Sequence, residues 1–362
     1  MGLLDGQKGT DMPSYAKRIE TLHSQSPLAR SFREGLLPIL RELLPFDAAC
    51  CTSVDPITLL STGSMTEEGV EPIHSQLFEL EYRTDDLHAF HLLAVAHPSV
   101  ASLHLATEGQ PEQSLRYRTI LKPVGFGDEL RAALTEDGAC WGFLTLFRSV
   151  QAPPFEQHEL EKIADIAPAI ARALRSYTLT VPEAASHRLT RQEPALLILD
   201  DTLAVQYASG IADEWVAYLR EWERLPDSAM PRPLQAVCAK AISSGDEART
   251  TVRIPDGTYL TLRAVRLDDR RGDAGSYGIA VQFELAKPSE ILPLLAKAYA
   301  LSAREMEVAE LIFRGASTKE IAAKLHISAY TVQDHLKSIF DKTSVNSRRE
   351  LLWQLFTRFA LD

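Results

Sequence analysis

Along residues 328–342, SAYTVQDHLKSIFDK, hydrogen-bonding side chains recur at helical spacing: Tyr330, Gln333, Asp334, Lys337 and Asp341. A phenol, an amide, carboxylates and an ammonium on one face can donate to and accept from a polar partner. Opposite them, Val332, Leu336, Ile339 and Phe340 form the apolar stripe that fixes such a helix to a core. The polar row is either a solvated face or a reading face. A helix that reads DNA usually carries more positive charge, and this one holds two aspartates.

Other chemistry-bearing residues are less organised. His74, His88, His91, His97 and His104 crowd one region, and His88-x-x-His91 could share a helix face. No cysteine–histidine grouping has a metal spacing, so no metal is expected. Cys50 and Cys51 lie on an expected strand and point to opposite faces, one of them buried. Ser, His and Asp are scattered, with no nucleophile elbow and no phosphate-binding G-x-x-x-x-G-K-[ST], which speaks against an enzyme. No apolar run approaches the roughly 18 residues of a membrane span, and no membrane partner is expected. The start lacks the pattern of a secretory signal, and four cysteines do not make a disulfide framework. A cytoplasmic location with reduced thiols is the expectation.

The elements that must position the reading face are marked in sequence. Ser302-x-x-Glu305, Ser317-x-x-Glu320 and Ser347-x-x-Glu350 are three capping boxes, and Ser328 is a fourth N-cap candidate. They predict helices over about 303–313, 318–325, 329–342 and 348–359, with Gly315 closing the first. Only His326-Ile327-Ser328 joins the second helix to the third, across which Ile321, Ala322 and Leu325 face Val332 and Leu336. That is a helix-turn-helix whose second helix is free to enter a major groove. Charge is distributed to match. The chain carries −11, yet residues 301–362 hold nine basic and eight acidic side chains, so the excess of acid lies in residues 1–300. Such an acidic body weakens non-specific phosphate binding and leaves DNA to one small module.

At 362 residues the chain exceeds one ordinary core, and two or three domains are expected. Residues 14–44 read as helical, with Phe32, Leu36, Ile39, Leu40 and Leu43 on one side. Two strands follow around Pro56, then a mostly helical segment over 68–122. A hairpin turns at Glu136-Asp137-Gly138: Leu130, Ala132 and Leu134 alternate before it, and Trp141, Phe143, Thr145 and Phe147 after it. The next helix carries a 3-4-3-4 seam, Leu160, Ile163, Ala167, Ile170 and Leu174, that packs either on its own sheet or on a second subunit. Pro168 predicts a kink there. Residues 177–192 read as a polar linker, followed by a smaller α+β unit with a hairpin at Pro255-Asp256-Gly257 and a last strand carrying Ile279, Val281 and Phe283. No internal repeat is visible.

The C-terminal segment resembles the DNA-binding domain of LuxR-type transcription regulators. Arg304-Glu305, Gly315, KEIA at 319–322, Ile327-Ser328, Thr331-Val332, His335, Lys342 and Ser347-Arg348 carry the likeness. It implies that Gln333, Asp334 and Lys337, with Tyr330 and Thr331 near the helix start, meet DNA, and that Thr318, Lys319 and Arg348 meet phosphates. Gln333 stands where a lysine is common in the family. Gln pairs with adenine, Asp accepts from cytosine N4, and Lys reaches guanine or phosphate. His335 reads as a packing residue. The resemblance implies a homodimer on double-stranded DNA, with RNA polymerase as a further candidate partner.

Residues 14–176 look like a GAF domain and 193–288, more weakly, like a PAS domain, with the helix-turn-helix domain over 297–361. The fold class is then multidomain: two α+β antiparallel-sheet domains followed by an all-α four-helix module. These resemblances imply a small-molecule effector, with Phe78, Tyr82, Phe90, Trp141 and Phe143 as candidate pocket residues. They also allow haem beside the histidines, but no spacing supports it and no cofactor is expected. The alternative is that both domains serve only dimerisation or protein contact.

Overall fold

The structure, a computed structural model, describes residues 12–83, 86–179, 195–255, 257–268 and 277–357. The chain divides into two compact units, one built from residues up to 53 and 64–177, the other from 54–63 and 178 onward.

The first unit opens with helices Met12–Gln25 (α1) and Ala29–Leu43 (α2), then strands Ala48–Val54 (β1) and Ser61–Thr66 (β2). Helices His74–Arg83 (α3) and Phe90–Leu93 (α4), strand Val100–Ser102 (β3) and helix Leu103–Ala106 (α5) follow. Strands Phe126–Glu136 (β4) and Ala139–Ser149 (β5) and helix Gln157–Leu179 (α6) complete it. The sheet order is β2-β1-β5-β4-β3, and β5 pairs antiparallel with both β1 and β4. Asp137 and Gly138 both take positive φ in the two-residue link from β4 to β5, the backbone that a tight hairpin needs.

Two expectations for this unit are corrected and a third is settled between its alternatives. Alternation along the hairpin predicts one buried face, yet β4 and β5 are buried on both. The cause is that α6 covers one face and the 70–125 segment the other. For the same reason Cys50 and Cys51 are both buried. The α6 seam is also resolved: Leu160, Ile163, Ala167, Ile170 and Leu174 are all buried within this one chain. Leu174 approaches Gly142 of β5 so closely that an added Cβ would stand 2.6 Å from its Cδ1. The helix assignment continues through Pro168. It ends at Leu179, and the rest of the expected linker, 180–192, lies outside the described residues.

In the second unit, strands Ala195–Leu199 (β6) and Val205–Ala208 (β7) are joined by an Asp200-centred turn. Helices Gly210–Glu223 (α7) and Arg232–Ser244 (α8) precede strands Ala248–Arg253 (β8), Tyr259–Asp268 (β9) and Tyr277–Leu285 (β10). The order is β7-β6-β10-β9-β8. Ile279, Val281 and Phe283 are buried on the side that α7 and α8 cover. Of the turn at Pro255-Asp256-Gly257, Asp256 lies outside the described residues, but β8 and β9 pair antiparallel on either side of it. Helix Pro288–Ala298 (α9) then leads to four short helices: Ala303–Phe313 (α10), Thr318–Leu325 (α11), Ala329–Thr343 (α12) and Arg348–Thr357 (α13).

Candidate functional site

Caps fix each helix of the C-terminal module. The Ser302 and Ser317 hydroxyls accept from the Glu305 and Glu320 backbone N–H groups, and both carboxylates reach back to the serine N–H. The third capping box departs from expectation: Ser347 accepts from the Glu350 N–H, but Glu350 reaches back to Asn346 N at 2.7 Å, one residue further. His326 closes α11 in the left-handed region, and Ser328 caps α12 by accepting from Thr331 N. Arg304 donates to Leu325 O and ties α10 to the end of α11. Val332, Leu336 and Ile339 are buried, as is Ile321 of α11.

The opposite side of α12 is open. Tyr330 is 76% exposed, and Gln333, Asp334, Lys337 and Asp341 are exposed beside it. Spacings of three, four, seven and eleven residues keep these on one face. The flanking residues are tied in. Thr331 is half-buried, with its hydroxyl 2.8 Å from the Ser328 hydroxyl. Arg348 donates to Ala316 O and Thr318 Oγ1, both at 3.0 Å, which sets it against the start of α11; burial lowers its pKa. Lys319 is exposed at the same helix start, and His335 is half-buried beside the stripe.

The first unit holds a cavity of about 50 Å³ between the sheet and α3 and α4. Phe78, Tyr82, Phe90 and Phe143 line it; Trp141, two residues along β5, is buried but does not. Phe90 stacks on Phe143 with ring centroids 4.0 Å apart and planes 6° from parallel. The Arg131 guanidinium lies over Phe90, 3.9 Å from its centroid. Arg131 also pairs with Glu81, whose other oxygen accepts from Phe90 N at 2.7 Å. Arg116 pairs with Glu129 and Asp86 and donates to Leu87 O. Arg131 Nε and Nη1 are buried with no hydrogen-bond partner among the described residues.

Residues 299–353 match the model of the luxR family of bacterial regulatory proteins. Spore germination protein GerE of Bacillus subtilis is 40% identical over 62 residues, which are 17% of this chain and 84% of GerE. The chain belongs to the luxR family. A monoamine regulon transcriptional regulator of Klebsiella aerogenes is 48% identical over 52 residues, 14% of this chain and 23% of that protein, so the chain spans under a quarter of its length. Among solved structures, VqmA bound to DPO aligns with 45% of this chain and 85% of its own, at 20% identity and a TM-score of 0.22. That likeness carries no conclusion about ligands.

In this luxR-family module, sequence reasoning missed the role of Lys342. It counts as a basic residue, yet its ammonium donates to Ala300 O at 2.9 Å and Glu305 Oε2 at 2.7 Å. Burial works against ionisation of Glu305, but Lys342, the Ser338 hydroxyl and the Ser302 N–H overcome it and hold that carboxyl at about 2. The signal is weak in sequence because a capping glutamate reads as solvent-facing. The histidines are a correction: His88 has positive φ and precedes α4, so it shares no helix face with His91. His74 is buried at the cavity wall. Among the described residues no three His, Cys, Asp or Glu side chains gather as a metal site. Burial pushes the Cys51, Cys140 and Cys238 thiols up to about 12, which keeps them protonated. No helix of the described residues is long and apolar enough to cross a membrane.

Proposed function

We propose that the chain is a DNA-binding transcription regulator that reads a major groove with α12 and answers to a small effector held in its first unit. The observation that carries the DNA reading is the exposed row Tyr330, Gln333, Asp334 and Lys337, set on a capped helix whose opposite face is buried. Gln333 is assigned to adenine, Asp334 to cytosine N4, and Lys337 to guanine or phosphate. Thr318, Lys319, Tyr330, Thr331 and Arg348 position the backbone. A genome-wide footprint supplies the operator. Lys337→Ala then weakens operator binding and lowers the slope of log affinity against log salt by about 1. An unchanged slope and affinity would sink the assignment.

Supporting the sensory reading, the cavity gathers aromatic walls and a guanidinium with unmet donors. We read residues 14–176 as GAF-like and 193–288 as PAS-like, on their antiparallel sheets of matching strand order, and 297–361 as the DNA-binding domain. Trp353, 66% exposed on α13, favours a dimer through that helix. α9 packs on α10 and α13, which ties the end of the second sheet's unit to the module. The second reading, protein contact only, has its own support: Tyr207, Leu196, Val265 and Leu267 are exposed on one face of the second sheet. A small molecule carried through purification, or melting that shifts with a metabolite, separates the two.

A further inference from the structure

Phe90 occupies a slot between two flat surfaces, the Phe143 ring and the Arg131 guanidinium. It is held there from a single helical turn, α4, and by one backbone hydrogen bond to Glu81. The guanidinium places its carbon over the ring. Its in-plane N–H groups at Nε and Nη1 stay unmet among the described residues, although Arg131 is only 3% exposed. A cavity of about 50 Å³ has room for a few waters but not for a ring. Room for a ring arises when Phe90 leaves.

We propose that Phe90 is a built-in stand-in for the effector, and that the effector is a small uncharged planar ring bearing a hydrogen-bond acceptor. Its ring takes the place of Phe90 on Phe143, and the Arg131 guanidinium turns edge-on to it, so that an unmet N–H meets the acceptor. This rests on the sensory reading above. Charge decides the class. Arg116 and Arg131 already face Glu81, Glu129 and Asp86, three carboxylates against two guanidiniums. An anion would enter a cluster already short of positive charge. A cation would have to leave water for carboxylates that are already bonded to arginines. A neutral carbonyl satisfies the donors without adding charge. Glu81 links the exchange to the protein, because one of its oxygens holds Phe90 N and the other holds Arg131.

The test titrates the full-length protein with benzamide, benzoate and toluene by ligand-observed NMR. Benzamide binds, and benzoate and toluene bind at least about tenfold more weakly, the scale of one hydrogen bond or one misplaced charge. Phe90→Ala removes the competing ring and tightens benzamide about tenfold, since the binding-competent fraction rises. Phe90→Leu keeps apolar volume and gives a smaller gain in the same direction if the alanine variant does not fold. Arg131→Met abolishes the preference for benzamide over toluene. Benzoate binding as well as benzamide, no gain from either Phe90 variant, or no binding by benzamide would each overturn the proposal. If all arms succeed and benzamide leaves operator affinity unchanged, the ring site stands and the sensory reading falls.

Discussion

The two sheets share one strand order: β2-β1-β5-β4-β3 in the first unit and β7-β6-β10-β9-β8 in the second. In each, two strands precede the helices that cover one face, and three strands follow. They differ in what lies on the other face. In the first sheet α6 closes it, and β4 and β5 are buried along most of their length. In the second, Tyr207, Ile198, Ala280 and Val265 form a cross-strand row that is exposed or half-exposed. Strand order therefore does not specify a binding cavity. The cavity comes from what the insert between the second and third strands brings with it: Phe78, Glu81 and Phe90 in one case, the packing helices α7 and α8 in the other.

Charge makes the sharpest contrast. Arg116 is 5% exposed and holds two carboxylates, Glu129 and Asp86, whose side chains are 2% and 8% exposed. Arg116→Met strands Glu129 in a medium that cannot solvate it, while Asp86 keeps its bonds from the Ser114 hydroxyl and two backbone N–H groups, and a loss of about 3–5 kcal/mol is expected in chemical denaturation. Arg263 of the second sheet also gathers carboxylates, Glu247, Glu284 and Glu290, but its side chain is 22% exposed and water reaches the group. Arg263→Met is expected to cost about 1 kcal/mol. Equal losses would mean that the two sheets do not differ in solvation as their burial implies.

Equivalent glycines give the next test. Gly142 lies on β5 and Gly278 on β10, the strands that hold the same place in the two orders. A Cβ at Gly142 would stand 2.6 Å from both Leu174 Cδ1 and Thr52 O. Gly142→Ala forces α6 off the sheet and should cost about 1–3 kcal/mol. At Gly278 the nearest atom is Leu199 O at 3.3 Å, and Gly278→Ala should change stability by under about 1 kcal/mol. Denaturation midpoints of the two variants check this, and a larger loss at Gly278 would reverse the comparison.

The same contrast explains what the sequence disclosed. The C-terminal module is written locally: each cap lies three residues from its partner, and the apolar stripe repeats within one helix. Its first three helices appear within a residue of their expected bounds and the fourth begins where expected, its expected end at 359 lying outside the described residues. Only long reaches escape, such as Lys342 to Glu305. In the first sheet, Glu129 and Arg131 alternate with Leu130 and Ala132 and so read as the solvated half of a strand. They are buried because their partners come from elsewhere: Arg116 on one side, and Glu81, fifty residues away, on the other. Alternation reports which side chains share a face, not whether a distant helix will cover it. Four of the five expected pocket aromatics meet at the cavity, while Trp141 falls at the register shift between β4 and β5, where alternation breaks, and does not line it.

The open face of the second sheet carries the smallest expected effect. Tyr207 is 74% exposed on β7, whose residues are all exposed. Tyr207→Ser removes a ring that buries little within the chain, and the melting free energy of dilute protein should move by no more than about 0.5 kcal/mol. The same variant in concentrated protein discriminates further. If wild type gains stability with concentration and Tyr207→Ser does not, a second copy covers this face, and the two sheets differ in who covers them rather than in whether they are covered. If neither responds to concentration, the face is solvated in both, and the contrast between a closed sheet and an open one holds as the burial describes it.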